Sequence, residues 1–299
     1  MSYRLKADEP VAEGLSRIIR REVEKAGECL RGTRGVDDER IHDSRKAMKR
    51  ARSALRLVRK ALSKPVFGGI NGRLRDIARP LSRVRDADVM LDTLTSLRKR
   101  YGDATRPQAI RQLAKELQSE RRNAWSKCCK PRSLAKLRSA LQRVADDSED
   151  LKFHAQDWNA VGKSIRRIYR DGSHAYDAAC IDRTDERLHE WRKQVKHLWY
   201  GLKILEPMRP GRIGELADQA HRLADYLGDD HDLAILRQRM LVSIDDDPGA
   251  TQVSIALVDT RRGELQHRAI MLGERLFNGN AKTFERKLAK CWRQWREAG

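Results

Sequence analysis

Two short segments carry the residue types best suited to chemistry with an anion. Ile41-His42-Asp43-Ser44-Arg45-Lys46-Ala47-Met48-Lys49-Arg50-Ala51-Arg52 and Leu188-His189-Glu190-Trp191-Arg192-Lys193-Gln194-Val195-Lys196-His197-Leu198-Trp199 place His, an acid, Arg-Lys and Lys in the same order at the same spacing. On a helix turning about 100° per residue, His42, Arg45, Lys46, Lys49, Arg52 and Arg56 fall on one side. Ile41, Met48, Ala51, Leu55 and Val58 fall on the other. In the second copy His189, Arg192, Lys193, Lys196 and Lys203 share a face opposite Trp191, Val195, Leu198, Leu202 and Leu205. Arg50 and His197 sit at the flank. Surface helices usually interleave Lys with Glu, because like charges at three- and four-residue spacing are destabilising. A stripe of cations with no interleaved acid, kept twice, points to a ligand that supplies the missing negative charge. Guanidinium forks and ammonium groups suit phosphate oxygens. A histidine heading each stripe, with a reference pKa near 6.5, adds charge mainly at mildly acidic pH.

These stripes need helices to present them, and the rest of the chain reads as helical. Apolar residues recur at three and four through Ile18, Ile19, Val23 and Ala26, and no convincing period-two alternation marks a strand. The preceding helices bring further cations at the same spacing: Arg17, Arg20 and Arg21 in one copy, Lys163, Arg166, Arg167 and Arg170 in the other. Breaks are expected at Gly32 to Gly35, Pro65 to Gly72, Tyr101 to Pro107, Lys130-Pro131, Gly172, Pro207 to Gly214, Asp245 to Gly249 and Asn278 to Asn280. Pro80 and Pro131 should interrupt or end helices.

The repeat extends beyond the two stripes. Arg17, Arg20 and Arg21 lie over Lys163, Arg166 and Arg167, with Ile19 over Ile165. Arg85-Asp86-Ala87-Asp88-Val89 lies over Asp229-Asp230-His231-Asp232-Leu233. Beyond Leu91 and Leu236 the register fades. The chain therefore reads as an all-α protein of two tandem, pseudo-symmetric bundles of about four helices each. Residues 1–150 form the first repeat and 151–299 the second, with Asp146 to Asp150 as linker or helix end.

Composition sets the class of partner. Lys and Arg number 63 against 43 Asp and Glu, a net charge of +20 and a pI near 10.1. Such a surplus repels itself and is relieved by nucleic acid, an anionic surface or another polyanion. With 39% hydrophobic residues spaced periodically, disorder is excluded. Five cysteines (Cys29, Cys128, Cys129, Cys180 and Cys291) with no CxxC argue against a disulfide framework or structural zinc. The polar N-terminus lacks a secretory core and no run spans a bilayer, so the expected setting is cytoplasmic, without membrane insertion.

The doubled His-acid-x-Arg-Lys-x-x-Lys helix, each copy followed by an Asp-x-Asp-apolar block, resembles the CHAD family, the conserved-histidine α-helical domain. The resemblance runs from about Pro10 to Trp295. It implies two pseudo-symmetric helical bundles that bind inorganic polyphosphate, without catalysis, in a central basic pore. It also implies a role in sensing, storage or localisation to polyphosphate granules. By position, Arg17, Arg20, Arg21, His42, Arg45, Lys46, Lys49, Arg50, Arg52 and Arg56 would line one side. Lys163, Arg166, Arg167, His189, Arg192, Lys193, Lys196, His197 and Lys203 would line the other. Two positions depart from symmetry: His197 stands where the first copy has Arg50, and Trp199 where it has Arg52. The ExExK signature of a triphosphate-tunnel hydrolase module is absent; the nearest string, Glu22-Val23-Glu24-Lys25-Ala26, ends in Ala. The stand-alone binding form is implied.

Sharper chemistry finds little support. Gly162-Lys163-Ser164 looks like the end of a P-loop, but Asp157 stands where that motif needs Gly. Asp229-Asp230-His231-Asp232 could gather oxygen ligands for a metal, yet Asp86-Ala87-Asp88 lacks the histidine. Helix capping and pairing with basic neighbours is the reading preferred. No metal site and no cofactor are expected. The rival function is sequence-nonspecific RNA or DNA binding, which shares the electrostatics. It usually adds stacking aromatics, and the stripes offer only Trp199 and Tyr200.

Overall fold

The structure is a computed structural model that describes residues 3–31, 36–102, 108–242 and 248–298. Its helices run α1 Val11–Cys29, α2 Asp38–Leu57, α3 Lys64–Tyr101, α4 Gln108–Cys128, α5 Pro131–Asp147, α6 Asp157–Ile181, α7 Asp185–Leu205, α8 Pro210–Val242, α9 Pro248–Leu276 and α10 Ala281–Glu297. No strand occurs among the described residues. Among the described residues, residues 1–150 hold five α-helices and residues 151–299 five, where about four each were expected. The extra one comes from the stretches beyond Leu91 and Leu236, where the sequence register fades.

The two stripe-bearing helices are started by the same device. The Asp37 carboxylate accepts from the Arg40 N–H at 2.8 Å, and the Thr184 hydroxyl from the Arg187 N–H at 3.3 Å. Acids fill both first turns, Asp38 and Glu39 in α2, Asp185 and Glu186 in α7. They favour the positive end of each helix dipole.

Several expected breaks lie inside helices. Pro65 occupies the first turn of α3 behind the Ser63 cap, a position where its missing N–H costs nothing. Gly68, Gly69 and Gly72 continue that helix, as Gly172 continues α6. Pro80 is exposed, and α3 runs through it, losing one backbone hydrogen bond on the solvent side. Pro131 opens α5. The breaks at Tyr101, Lys130-Pro131, Pro207 and Asn278 to Asn280 coincide with helix boundaries. Those at 32–35, 103–107 and 245–247 lie outside the described residues. The expected linker at Asp146 to Asp150 is the end of α5 and the start of the connection to α6.

One apolar core gathers Leu15, Ile19, Met48 and Leu55 with Ile165, Trp191, Val195 and Leu223, so residues of both halves pack together. A second joins Leu94, Leu97 and Leu113 of α3 and α4 to Leu236, Met240 and Val258 of α8 and α9. Between the two parts of the chain α2 meets α7 and α3 meets α8. Gly201 permits a close approach: a Cβ there would sit 3.3 Å from Ile165 Cδ1 and 3.9 Å from Leu57 Cδ1. No described helix is long and apolar enough to cross a membrane.

Candidate functional site

The pairing of α2 with α7 turns their cationic stripes toward a common space. A cavity of about 970 Å³ opens there, lined by His42, Arg45, Lys46 and Lys49 from α2 and by Arg192 and Lys196 from α7. Arg83 and Arg85 of α3, Lys127 of α4 and Arg239 of α8 add charge around it. A second cavity of about 350 Å³ shares Arg45 and Lys49 with the first and adds Arg52, Arg75 and Arg79. The two spaces thus share the middle of α2 as a wall.

Each half holds its stripe in place with the same clamp. Arg121 of α4 bridges Asp88 on α3 and Asp38 at the head of α2. Arg262 of α9 bridges Asp230 on α8, at 3.0 Å, and Asp185 at the head of α7. Gln266 gives Asp230 a further bond at 2.9 Å. The equivalent buried acids are therefore Asp88 and Asp230, two residues off the register that aligned Asp88 with Asp232. Both Asp blocks lie mid-helix in α3 and α8 and do not cap. Their pairing role is present: Asp86 lies 3.7 Å from Arg45, and Ser82 Oγ accepts from the same guanidinium at 3.2 Å. Asp230 turns inward to its clamp, while Asp232 turns to the cavity. Among the described residues, no group of three His, Cys, Asp or Glu side chains could hold a metal ion. All five cysteines are free thiols.

The electrostatics of the cavity are those of a cationic space short of counter-charge. Among the described residues, no carboxylate lies within 4 Å of the Lys49 or Lys196 ammonium. Lys49 is exposed to the cavity, whose protein walls surround it. Lost hydration, then Arg45, Lys196 and Arg192, bring its pKa down to about 7. Burial and Arg192 bring Lys196 down to about 8, with Asp232 and Asp225 opposing. That Lys49 feels Lys196 and Arg192, and Lys196 feels Arg45, records how closely the halves converge. The buried Arg192 Nε has no hydrogen-bond partner. Asp86 and Asp232 are raised above the usual carboxylate range by burial, against the pull of neighbouring cations.

The histidines divide. His42 lines the cavity, its pKa lowered by lost hydration and by Arg85. His189 does not line it. Its ring packs 4.4 Å from that of His231, which takes the cavity position in the second half. Burial and Arg192 lower both, His231 to about 4. His197 is half-buried beside Arg56 and Arg52, and lost hydration together with those two charges brings its pKa down to about 3.

The other expected cations are placed elsewhere. Arg17 is held by Glu9, Arg20 by Glu24 and Glu149, and Arg21 faces Glu24 and Glu28. None of these three lines a cavity described here. Arg50 lies 3.8 Å from buried Glu22 and over the Tyr3 ring, an internal support. Arg56 and Arg167 meet in a small separate cleft with Arg59 and Lys60, and burial brings Arg56 down to about 10. Arg170 pairs with Asp171, Lys193 with Glu190, and Lys203 with Glu206. Lys163 and Arg166 are exposed on α6 and line no described cavity. Sequence reading missed the cations Arg75, Arg79, Arg83, Lys127 and Arg239, which lie outside the repeated motif. Arg85 and His231 stood in the Asp-bearing blocks without being assigned to the site.

Comparison with known proteins agrees with this architecture. Residues 17–241 match the sequence profile of the CHAD domain. The fold is similar to that of PptA from Streptomyces chartreusis, at 13% identity and a TM-score of 0.65, covering 91% of this chain and 100% of that one. It is also similar to the crystal structure of the CHAD domain from the plant Ricinus communis, at 18% identity and a TM-score of 0.57, covering 96% and 94%. No curated protein sequence matches.

Proposed function

The chain belongs to the CHAD family, and we propose that it binds inorganic polyphosphate, without catalysis, in the cavity between α2 and α7. The observation that carries this reading is the meeting of Arg45 and Lys49 from one half with Arg192 and Lys196 from the other, in a space where, among the described residues, no carboxylate lies within 4 Å of either lysine. A chain with one negative charge per phosphate and no bases supplies what such a space lacks. Each phosphate oxygen accepts charge-assisted hydrogen bonds, and the bound charge relieves the repulsion that lowers the lysine pKa values. Arg45 and Lys49 line both cavities, so a chain held at these two residues would find further cations in Arg52, Arg75 and Arg79 on the side of the smaller one. Residues 1–150 and 151–299 would act as two repeats of one binding unit. The biological setting in this reading is cytoplasmic, at polyphosphate granules.

The test is calorimetric titration with long-chain polyphosphate beside single-stranded RNA of matched charge, at one salt concentration. Tight polyphosphate binding with weak RNA binding is expected. Equal affinity would replace this reading with an unselective polyanion surface, of which RNA is the first alternative ligand.

A further inference from the structure

One end of the large cavity is aromatic rather than cationic. Trp199, Tyr200 and His221 all line it. Trp199 stacks on His221 at 3.9 Å between ring centres and 13° between planes, and on Tyr200 at 4.4 Å and 25°. Tyr200 is buried, Trp199 half-buried, and His221 exposes 47% of its side chain. The three rings form a stack whose outer member faces open space. Trp199 also stands where the first copy of the motif has Arg52, so the second half gives up a cation to build this ledge.

The ledge and the cations lie in a fixed order. Along α7 the rise is about 1.5 Å per residue. Lys196 therefore follows Trp199 by about 4.5 Å and Arg192 by about 10.5 Å, measured along the axis. On α8, running antiparallel, His221 and Asp225 come first and Asp232 last, all facing the same cavity. The Asp225 carboxylate lies 3.6 Å from His221 Nε2. A flat ring system, then an acceptor for hydroxyl groups, then a file of cations is the order of parts in a nucleotide: base, ribose, phosphates.

We propose that this cavity accepts nucleoside polyphosphates, with the base stacked on the His221–Trp199 ledge and the phosphates extended toward Lys196, Arg192 and Lys49. The inference rests on the polyphosphate reading of the cavity and narrows it: a phosphate chain that ends in a nucleoside gains a stacking contact that a bare chain lacks. The volume of about 970 Å³ leaves room for both.

The experiment compares ATP with inorganic tripolyphosphate by calorimetry, at equal ionic strength and without divalent cations. Tripolyphosphate carries the higher charge, so electrostatics alone favours it. Stacking contributes enough that ATP should bind at least about fivefold more tightly. His221→Ala, at an exposed position, and Trp199→Ala should each remove that preference while leaving tripolyphosphate affinity within about twofold of wild type. Melting curves establish that both variants are folded, and His221→Ala carries the test if Trp199→Ala is not. Tripolyphosphate binding as tightly as ATP, or a preference that survives in His221→Ala, overturns the ledge and leaves the polyphosphate reading standing. Binding of neither ligand, nor of long-chain polyphosphate, overturns both.

Discussion

Polyphosphate binding should draw protons into the protein, by an amount set by two lysines. Lys49, with a pKa of about 7, and Lys196, at about 8, are depressed because burial and neighbouring cations penalise their charge. A bound polyanion supplies the counter-charge that both amines lack and moves each back toward its ordinary value. At pH 8 the free protein then takes up about 1.4 protons on binding, and at pH 6 only about 0.1. Affinity should therefore fall about twentyfold from pH 6 to pH 8. The other groups facing these lysines act in the same direction or not at all. Arg45 keeps its charge throughout, while His42 and the carboxylates of Asp86 and Asp232 bind protons more readily as pH falls. The sign for stability is opposite. Between the depressed values and 10.5 the folded state holds fewer protons than the unfolded one, so the free protein gains stability as pH rises through that range. The assay is calorimetry at pH 6 and pH 8 in two buffers of different ionisation enthalpy, which counts the protons directly. Affinity that is flat across this range, with no dependence on buffer, would refute the argument that the two lysines are held short of charge. A Lys49→Gln, Lys196→Gln double variant should lose the pH dependence along with much of the affinity.

Three further outcomes follow from the same geometry. Reversing charge with Lys49→Glu and Lys196→Glu should weaken polyphosphate binding by about a hundredfold or more, since charge-assisted contacts of about 1.5–3 kcal/mol each become repulsive; a folded variant that binds normally removes the cavity from consideration. Replacing Arg20 and Arg21 by Gln should change affinity by less than about twofold, because their charges are already met by Glu24, Glu28 and Glu149 at the surface; a large loss in the same titration would place α1 in the site. Arg262→Ala should cost about 3–5 kcal/mol in urea unfolding, because it leaves the buried Asp230 carboxylate without its ionic partner; stability unchanged within about 1 kcal/mol would show the clamp to be idle.

The sequence by itself determined the class of the protein and the nature of its surface. A helix has a fixed angular period, so the listing of residues 41 to 56 alone separates an apolar stripe from a cationic one, and the recurrence of that pattern at 188 to 203 establishes the duplication. The same logic gives helices throughout and identifies Arg45, Lys49, Arg192 and Lys196 as exposed to whatever the stripe faces. What the period cannot give is which faces meet. The arginines of α1 have the same spacing as those of α2, yet Arg17 finds Glu9 and Arg20 finds Glu149, contacts decided by the packing of α1 against α5 and the N-terminal segment. His42 and His189 hold the same place in the motif, but α8 brings His231 in front of only the second. Pro80 looked like a helix end because a missing N–H is costly; its exposure on α3 leaves that cost to solvent. Arg75, Arg79 and Arg239 carry no local signal, since a lone arginine on a long helix reads as a solvated side chain. The convergence of two stripes far apart in the chain, and with it the depressed lysines and the aromatic end of the cavity, belongs to the tertiary structure. It depends on α2 meeting α7, a contact that helical periodicity leaves open.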